Sequence, residues 1–415
     1  MRRQTAPTEQ PVRAASTGTG DASADESGLA TTGRRRRWGR VAVVAAVVLV
    51  VLLVGGTFGA GWYVSSQQLE PNHFKKGPSG LVLGFGTARG EPTVLLSAAE
   101  GTGKPGVHAL TWNGGATMVG DVVSRSAGRV QRRLLGEPPP VDVQVSVKPK
   151  VYPSDPRSLL GFPAVQVSVP TELGPAPAWF VPATGPAAST WVIAVHGQHG
   201  DPSTAMTGVP AMHRLGLPVL AISYRNDIGA PASPDGLLHL GQSEWRDVDA
   251  AITHARKMGA QRVVLDGASM GAAAVLQTLK HSAQADAVAS VVLDAPALDY
   301  EATGYHVGEQ MGAPAPVIAA ASKIMEWRAG LDFDELDTLD NPPAIRPPTL
   351  LVHGSADEEH PVAGSRELAD SGPRRRWPIQ YEEFPGAGHT QSWNIDPERY
   401  DRVLTDFLRR TALRG

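Results

Sequence analysis

The sequence predicts an α/β protein: a mostly parallel central sheet with helices on both faces, preceded by a small β-rich module and one N-terminal transmembrane helix. Three observations carry this. An uncharged run of 24 residues, "VAVVAAVVLVVLLVGGTFGAGWYV" (41–64), stands near the N-terminus. Strict alternation follows in "VDVQVSVK" (141–148). Beyond about residue 151, apolar strands alternate with helical stretches: "STWVIAVHG", "RVVLDG", "SVVLDAP", "TLLVHGS" and "IQYEEFPG". Continuous apolar strands separated by helices indicate parallel strands buried on both faces.

Residues 1–40 hold 8 Arg and 4 acidic residues among small polar ones. They bury too little apolar surface to offset chain entropy and read as a disordered basic tail. The run 41–64 exceeds the ~20 residues that span a bilayer core, and no charge interrupts it between Arg40 and Glu70. The cluster "RRRRWGR" (34–40) assigns the tail to the cytoplasm, and Trp62 and Tyr63 suit the far interface. The expected location is the cell membrane, single-pass, with the body outside. A cleaved signal peptide is the alternative, but its apolar core is usually ~7–15 residues.

Residues 71–150 read as a membrane-proximal β-rich module. The alternating valines of 141–148 mark a half-buried strand. Residues 151–415 form the main α/β body, which opens with a hairpin from "AVQVSVP" (164–170) and "APAWFVPA" (176–183). The chain's net charge is −3, and outside the tail acids outnumber bases, so nothing in the balance points to a nucleic-acid partner. With no cysteine, disulfides, thiolate nucleophiles and Cys-ligated zinc are excluded.

Ligands of such sheets bind beyond the carboxyl ends of the strands, and the reactive candidates all lie there. Gly267-Ala268-Ser269-Met270-Gly271 follows the strand "QRVVLD" and precedes the helix former "AAAVLQTLK". A sharp turn there lifts the Ser269 hydroxyl and sets the Met270 N–H beside it at a helix N-terminus. A serine hydroxyl needs a base, and His389 in "GAGHTQSWN" is the best placed of 12 histidines. The imidazole needs a carboxylate, and Asp357 in "HGSADEEHP" is preferred to Asp294, which ends "SVVLD". Glu358 and Glu359 are expected to point away. The order Ser269, Asp357, His389 is the one expected of an α/β-hydrolase. An oxyanion requires two backbone donors, and the N–H groups of Met270 and Gln198 are the candidates. His196 reads as structural or orienting, and the His196/His199 pair does not read as a metal site.

The motifs "VHGQHGD", "YRNDIGAPASPDGLLHLGQSEWRDVDAAI", "GASMG", "HGSADEEHP" and "GAGHTQSWN" resemble the α/β-hydrolase superfamily. More narrowly, they resemble membrane-anchored actinobacterial-type hydrolases related to monoacylglycerol-lipase-like and prolyl-oligopeptidase-like enzymes. The resemblance implies Ser269 as nucleophile, His389 as base, Asp357 as acid, and Met270 and Gln198 at the oxyanion positions. Ala268 and Gly271-Ala272 stand where relatives often carry an aromatic residue and a Gly pair. No metal or organic cofactor is implied. Arg225 reads as a structural ion pair or as an anchor for an anionic substrate group.

The segment of about 297–345 suits a short helical cap. There Met311, Ile318, Ile324, Met325 and Trp327 are either an acyl-pocket lining or core. The expected activity is hydrolysis of small carboxylic esters, lipidic ones included, through an acyl-enzyme. The alternatives are a prolyl-oligopeptidase-like serine peptidase and a catalytically silent, membrane-tethered interaction protein. Oligomeric state is not legible.

Overall fold

A computed structural model describes residues 27–71, 80–148 and 155–413, which divide into two compact units at Gly56/Thr57. Helix α1 runs over Ser27–Leu69. Its stretch Arg40–Leu69 is long and apolar enough to cross a membrane, with a mean hydropathy of 2.9 in its most apolar 18-residue window. The expected disorder of 1–40 is corrected over 27–40, which continues this helix. Once the apolar run is helical, each added residue gains a backbone bond, and Arg34 to Arg37 are good helix formers. Residues 1–26 of the expected tail lie outside the described residues.

The last turns of α1 are anchored. Leu69 is fully buried in the core of the body, and its carbonyl accepts from Leu238 N at 2.7 Å. Arg328 donates to Ser65 Oγ and Ser66 Oγ at 3.0 and 2.9 Å and lies 4.0 Å over the Trp62 ring.

Six antiparallel strands then close a barrel: β1 (Gly80–Ala88), β2 (Glu91–Ser97), β3 (His108–Trp112), β4 (Gly115–Ser126), β5 (Arg129–Leu134) and β6 (Gln144–Lys148). Their order around the barrel is β1-β2-β5-β4-β3-β6. Val82, Val94, Leu96, Leu110, Val119 and Val145 fill it. Closure leaves no sheet edge exposed. The alternation at 141–148 becomes strand only from Gln144, because Asp142 takes a left-handed turn (φ 61°).

A short α2 (Arg157–Leu160) leads into the hairpin β7 (Val165–Thr171) and β8 (Gly174–Val181). The body continues through β9 (Thr190–Val195), α3 (Val209–Arg214), β10 (Val219–Ile222), α4 (Trp245–Lys257), β11 (Arg262–Ala268) and α5 (Met270–His281). After β12 (Val288–Asp294), the helices α6 (Tyr300–Gln310), α7 (Ala315–Ala329) and α8 (Phe333–Leu336) occupy the cap segment. The chain ends with β13 (Thr349–Gly354), α9 (Val362–Ser371), β14 (Ile379–Phe384), α10 (Ser392–Ile395) and α11 (Pro397–Thr411).

The eight strands order as β14-β13-β12-β11-β9-β10-β8-β7, parallel from β14 to β10 and antiparallel at the β8 and β7 edge. Alternate residues feed two cores. Ile193, Val195, Leu265 and Leu293 pack under α4 and α5, whereas Val192, Ala194, Val264 and Val292 pack under α3 and α11. Burial on both faces explains why these strands are continuously apolar.

The junction of β11 and α5 is tightly packed. Ser269 has φ 55° and ψ −124°, a backbone state costly for any residue with a Cβ. Gly271 packs against β9 so closely that an added Cβ would lie 2.4 Å from the carbonyl oxygens of both Val195 and His196. Backbone cannot yield there as a flexible side chain could. Gly271→Ala is therefore expected to lose about 1–3 kcal/mol of stability, read as a lower urea midpoint, with reactivity at Ser269 falling alongside. An unchanged midpoint would contradict this packing.

Candidate active site

Three loops at the carboxyl ends of β11, β13 and β14 bring Ser269, Asp357 and His389 together. Ser269 Oγ lies 2.9 Å from His389 Nε2, and His389 Nδ1 lies 2.8 Å from Asp357 Oδ2. An ionised carboxylate only accepts, so Nδ1 carries the proton and Nε2 offers its lone pair to the Ser269 hydroxyl. The arrangement can therefore accept a proton from Ser269 as the oxygen attacks an electrophile.

Asp357 is densely supported. Its Oδ1 accepts from the N–H groups of Glu359 and His360 at 2.8 and 2.9 Å, and its Oδ2 lies 3.1 Å from His353 Nε2. Burial works against the charge. Hydrogen bonds from His353 and His389, with the His360 N–H, outweigh it and hold the carboxyl well below the usual carboxylate range. For His389, burial disfavours the cation, but the hydrogen bond and charge of Asp357 prevail and raise it above its ordinary 6.5. His360 packs edge-on to His389 at 4.6 Å between ring centroids and donates through Nδ1 to Ala295 O. Burial, then the neighbouring His389, pushes His360 down to about 3 and keeps it neutral.

Asp294, the rival acid, does not reach His389. Its backbone carbonyl accepts from Ser269 N at 2.9 Å, and its Oδ2 lies 3.5 Å from Tyr400 Oη. Its buried Oδ1 has no partner among the described residues. Burial first, with the Asp357 charge adding, pushes this carboxyl up to about 6. Asp266 beside it is pushed up to about 8 by burial and by Asp294.

Met270 N–H is the first of α5 and has no intrahelical acceptor. Gly197 passes so close to Ser269 that a Cβ there would lie 3.5 Å from Ser269 Oγ, which brings the following Gln198 to the cleft. The Gly197 carbonyl is held by Tyr224 Oη at 2.9 Å and by His196 Nδ1 at 2.8 Å. His196 Nε2 in turn contacts Asp227 Oδ2 at 2.8 Å, and its ring stacks on Tyr224. His196 is thus an orienting residue. Arg225 is buried and pairs with Asp247 at 2.8 Å and Glu172 at 2.9 Å, away from any substrate role.

One expectation is corrected, and one open alternative is decided. Glu359 does not point away: its Oε2 lies 3.6 Å from His389 Nε2, and it lines the cleft. None of the five apolar cap residues lines the cleft. Ile318, Ile324 and Met325 are buried as core, and Met311 and Trp327 face outward. The cap residues facing Ser269 are Thr303 and Val307, because α6 rather than α7 borders the cleft. That cavity, of about 440 Å³, also takes Gln68 from the end of α1 and Lys104 from the barrel. Sequence reasoning missed Tyr224 and Asp227 as braces and His353 and His360 as partners of Asp357. The last two flank Asp357 in "HGSADEEHP" and could have been found there.

Residues 226–413 match the prolyl oligopeptidase family model, and residues 82–148 match a domain of unknown function (DUF8805). An uncharacterized protein of Mycobacterium tuberculosis (strain ATCC 25618 / H37Rv) is 27% identical over 241 residues, 56% of this chain and 73% of that protein. The esterase Pf2001 of Pyrococcus furiosus aligns in structure with a TM-score of 0.50 at 18% identity, covering 63% of this chain and 96% of that one. A puromycin-hydrolyzing peptidase of Mycobacterium tuberculosis also gives 0.50 at 18% identity, covering 80% of this chain and 55% of that one. At 18% identity the two structural likenesses concern the fold alone. The body of this chain has the α/β-hydrolase fold, and its residues 226–413 are similar to the prolyl oligopeptidase family.

Proposed function

We propose that this chain is a membrane-tethered serine hydrolase that cleaves carboxylic esters through an acyl-enzyme. One observation carries the reading: the continuous relay from Ser269 Oγ to His389 Nε2 at 2.9 Å, and from His389 Nδ1 to Asp357 at 2.8 Å. Ser269 Oγ attacks the ester carbonyl while His389 takes its proton, and Asp357 stabilises the imidazolium. The N–H groups of Met270 and Gln198 receive the oxyanion. Collapse expels the alcohol, which takes the proton from His389. Water then attacks the acyl-enzyme with His389 again as base, and the acid leaves. Helix α1 anchors the protein with its Arg-rich end in the cytoplasm and the body outside, which brings lipidic esters within reach.

A second reading keeps the same relay but cleaves peptides, and the prolyl oligopeptidase family match supports it. Rapid turnover of 4-nitrophenyl acyl esters without turnover of aminoacyl or prolyl amides favours the ester reading, and the reverse favours the peptidase. A silent interaction protein would not react with a fluorophosphonate probe at all. Labelling is expected in the wild-type chain and lost in Ser269→Ala, with ester turnover falling at least about 10³-fold. Persistent labelling or turnover in that variant would overturn the assignment.

The pH profile tests the relay itself. His389 must be neutral to accept the proton, and its folded value is raised, so kcat/KM should climb through a midpoint above 6.5. In Asp357→Asn the carboxylate's support is gone while burial remains. The acid limb should then move to lower pH and the maximal rate fall about 10²- to 10⁴-fold. An acid limb that stays in place would separate Asp357 from the imidazole.

A further inference from the structure

The barrel reaches into the cleft through the connection between β2 and β3. Its backbone is held by Arg132, a fully buried residue of β5. The guanidinium donates to the carbonyls of Thr102, Lys104 and Gly106 at 3.0, 2.5 and 2.6 Å, and to Gly120 O at 2.9 Å. One buried planar cation bonded to three carbonyls of the connection and one of β4 leaves this connection little freedom. Its far end is tied to the body: Val107 N donates to Asn394 O at 2.7 Å, and Asn394 Nδ2 donates to Val107 O at 2.6 Å. Asn394 itself is buried and lies five positions beyond His389. The barrel is thereby keyed to the segment that carries the imidazole.

The residue presented at the crest is Lys104. It is exposed and forms no ion pair among the described residues, yet it lines the same cavity as Ser269 and His389. It is the one Lys or Arg among the residues lining that cavity. The acids there are otherwise engaged. Glu359 faces the His389 ring at 3.6 Å. Asp266 and Asp294 lie together deep in the cleft, where burial favours their protonated forms. A rigidly mounted cation at a partly enclosed cleft attracts and selects complementary charge.

We propose that the β-barrel is a specificity element of the hydrolase, and that Lys104 selects esters bearing an oxyanion group, a carboxylate or a phosphate, on the portion projecting toward the barrel. This rests on the serine-hydrolase reading of the preceding section.

The test uses the full chain in detergent and two pairs of esters. Mono-(4-nitrophenyl) glutarate is compared with 4-nitrophenyl butyrate for a carboxylate on the acyl side. 3-Carboxy-4-nitrophenyl acetate is compared with 4-nitrophenyl acetate for one on the leaving group. In one pair, Lys104→Ala should lower kcat/KM for the anionic member about 5- to 30-fold, through KM, and change the neutral member less than about twofold. Lys104→Arg should retain the preference, Lys104→Glu should invert it, and raising salt should shrink it in the wild type. Inhibition by glutarate or by inorganic phosphate at constant ionic strength then separates the two anions. Equal responses of anionic and neutral esters to every Lys104 variant would overturn the proposal while leaving the hydrolase intact. Absence of Ser269 labelling and of any ester turnover would instead be a failure of the underlying reading.

Discussion

The site hangs on one backbone constraint, the left-handed conformation of Ser269 between β11 and α5. Nothing intrinsic to serine favours φ 55°, so neighbouring structure must impose it. On one side the Ser269 N–H is bonded to the Asp294 carbonyl of β12, and on the other Gly271 is pressed onto the carbonyls of β9. Two strands that flank β11 in the sheet thus fix the turn from both sides. The strain is sustained by the sheet register, which is why the hydroxyl can stand clear of the helix it begins.

Around that turn the electrostatics are arranged in opposition. Asp357 sits among His353, His360 and His389, where its charge is supported by all three and by the Glu359 N–H. Asp266 and Asp294 occupy the same cleft with no comparable support and are pushed toward their neutral forms. Among three carboxyls of similar intrinsic acidity, burial and local donors together decide which stays ionised. Sequence order favoured Asp357 over Asp294, and the donors around Asp357 supply the physical reason.

Much of the body was legible because its signals are local. Continuous apolar runs such as "WVIAV", short and closed by turn residues, suit strands buried on both faces, and the Gly-x-Ser-x-Gly turn announces its own strand and helix. Ser269, Asp357 and His389 could be placed by residue type and by position at strand ends. What escaped were long-range contacts. Lys104 and Gln68 lie far upstream of the cleft they line, and no periodicity reports where a loop crest will land. The cap stayed open for a related reason: apolar residues suit a pocket and a helix–helix seam equally. Ile318 packs on Gly308 of α6 and Met325 joins the core, while the less apolar Thr303 of α6 meets the cleft.

Arg328 ties the cap to the end of α1. Its side chain bonds Ser65 and Ser66 of α1 and lies over Trp62, while its backbone belongs to α7. Ile318 of α7 in turn packs so closely on Gly308 of α6 that a Cβ there would lie 2.6 Å from it. A continuous run of contacts therefore joins the last turns of α1 to α7, and α7 to the α6 helix whose Thr303 and Val307 wall the cleft, so the residues that hold α1 and those that shape the cleft share one packed layer.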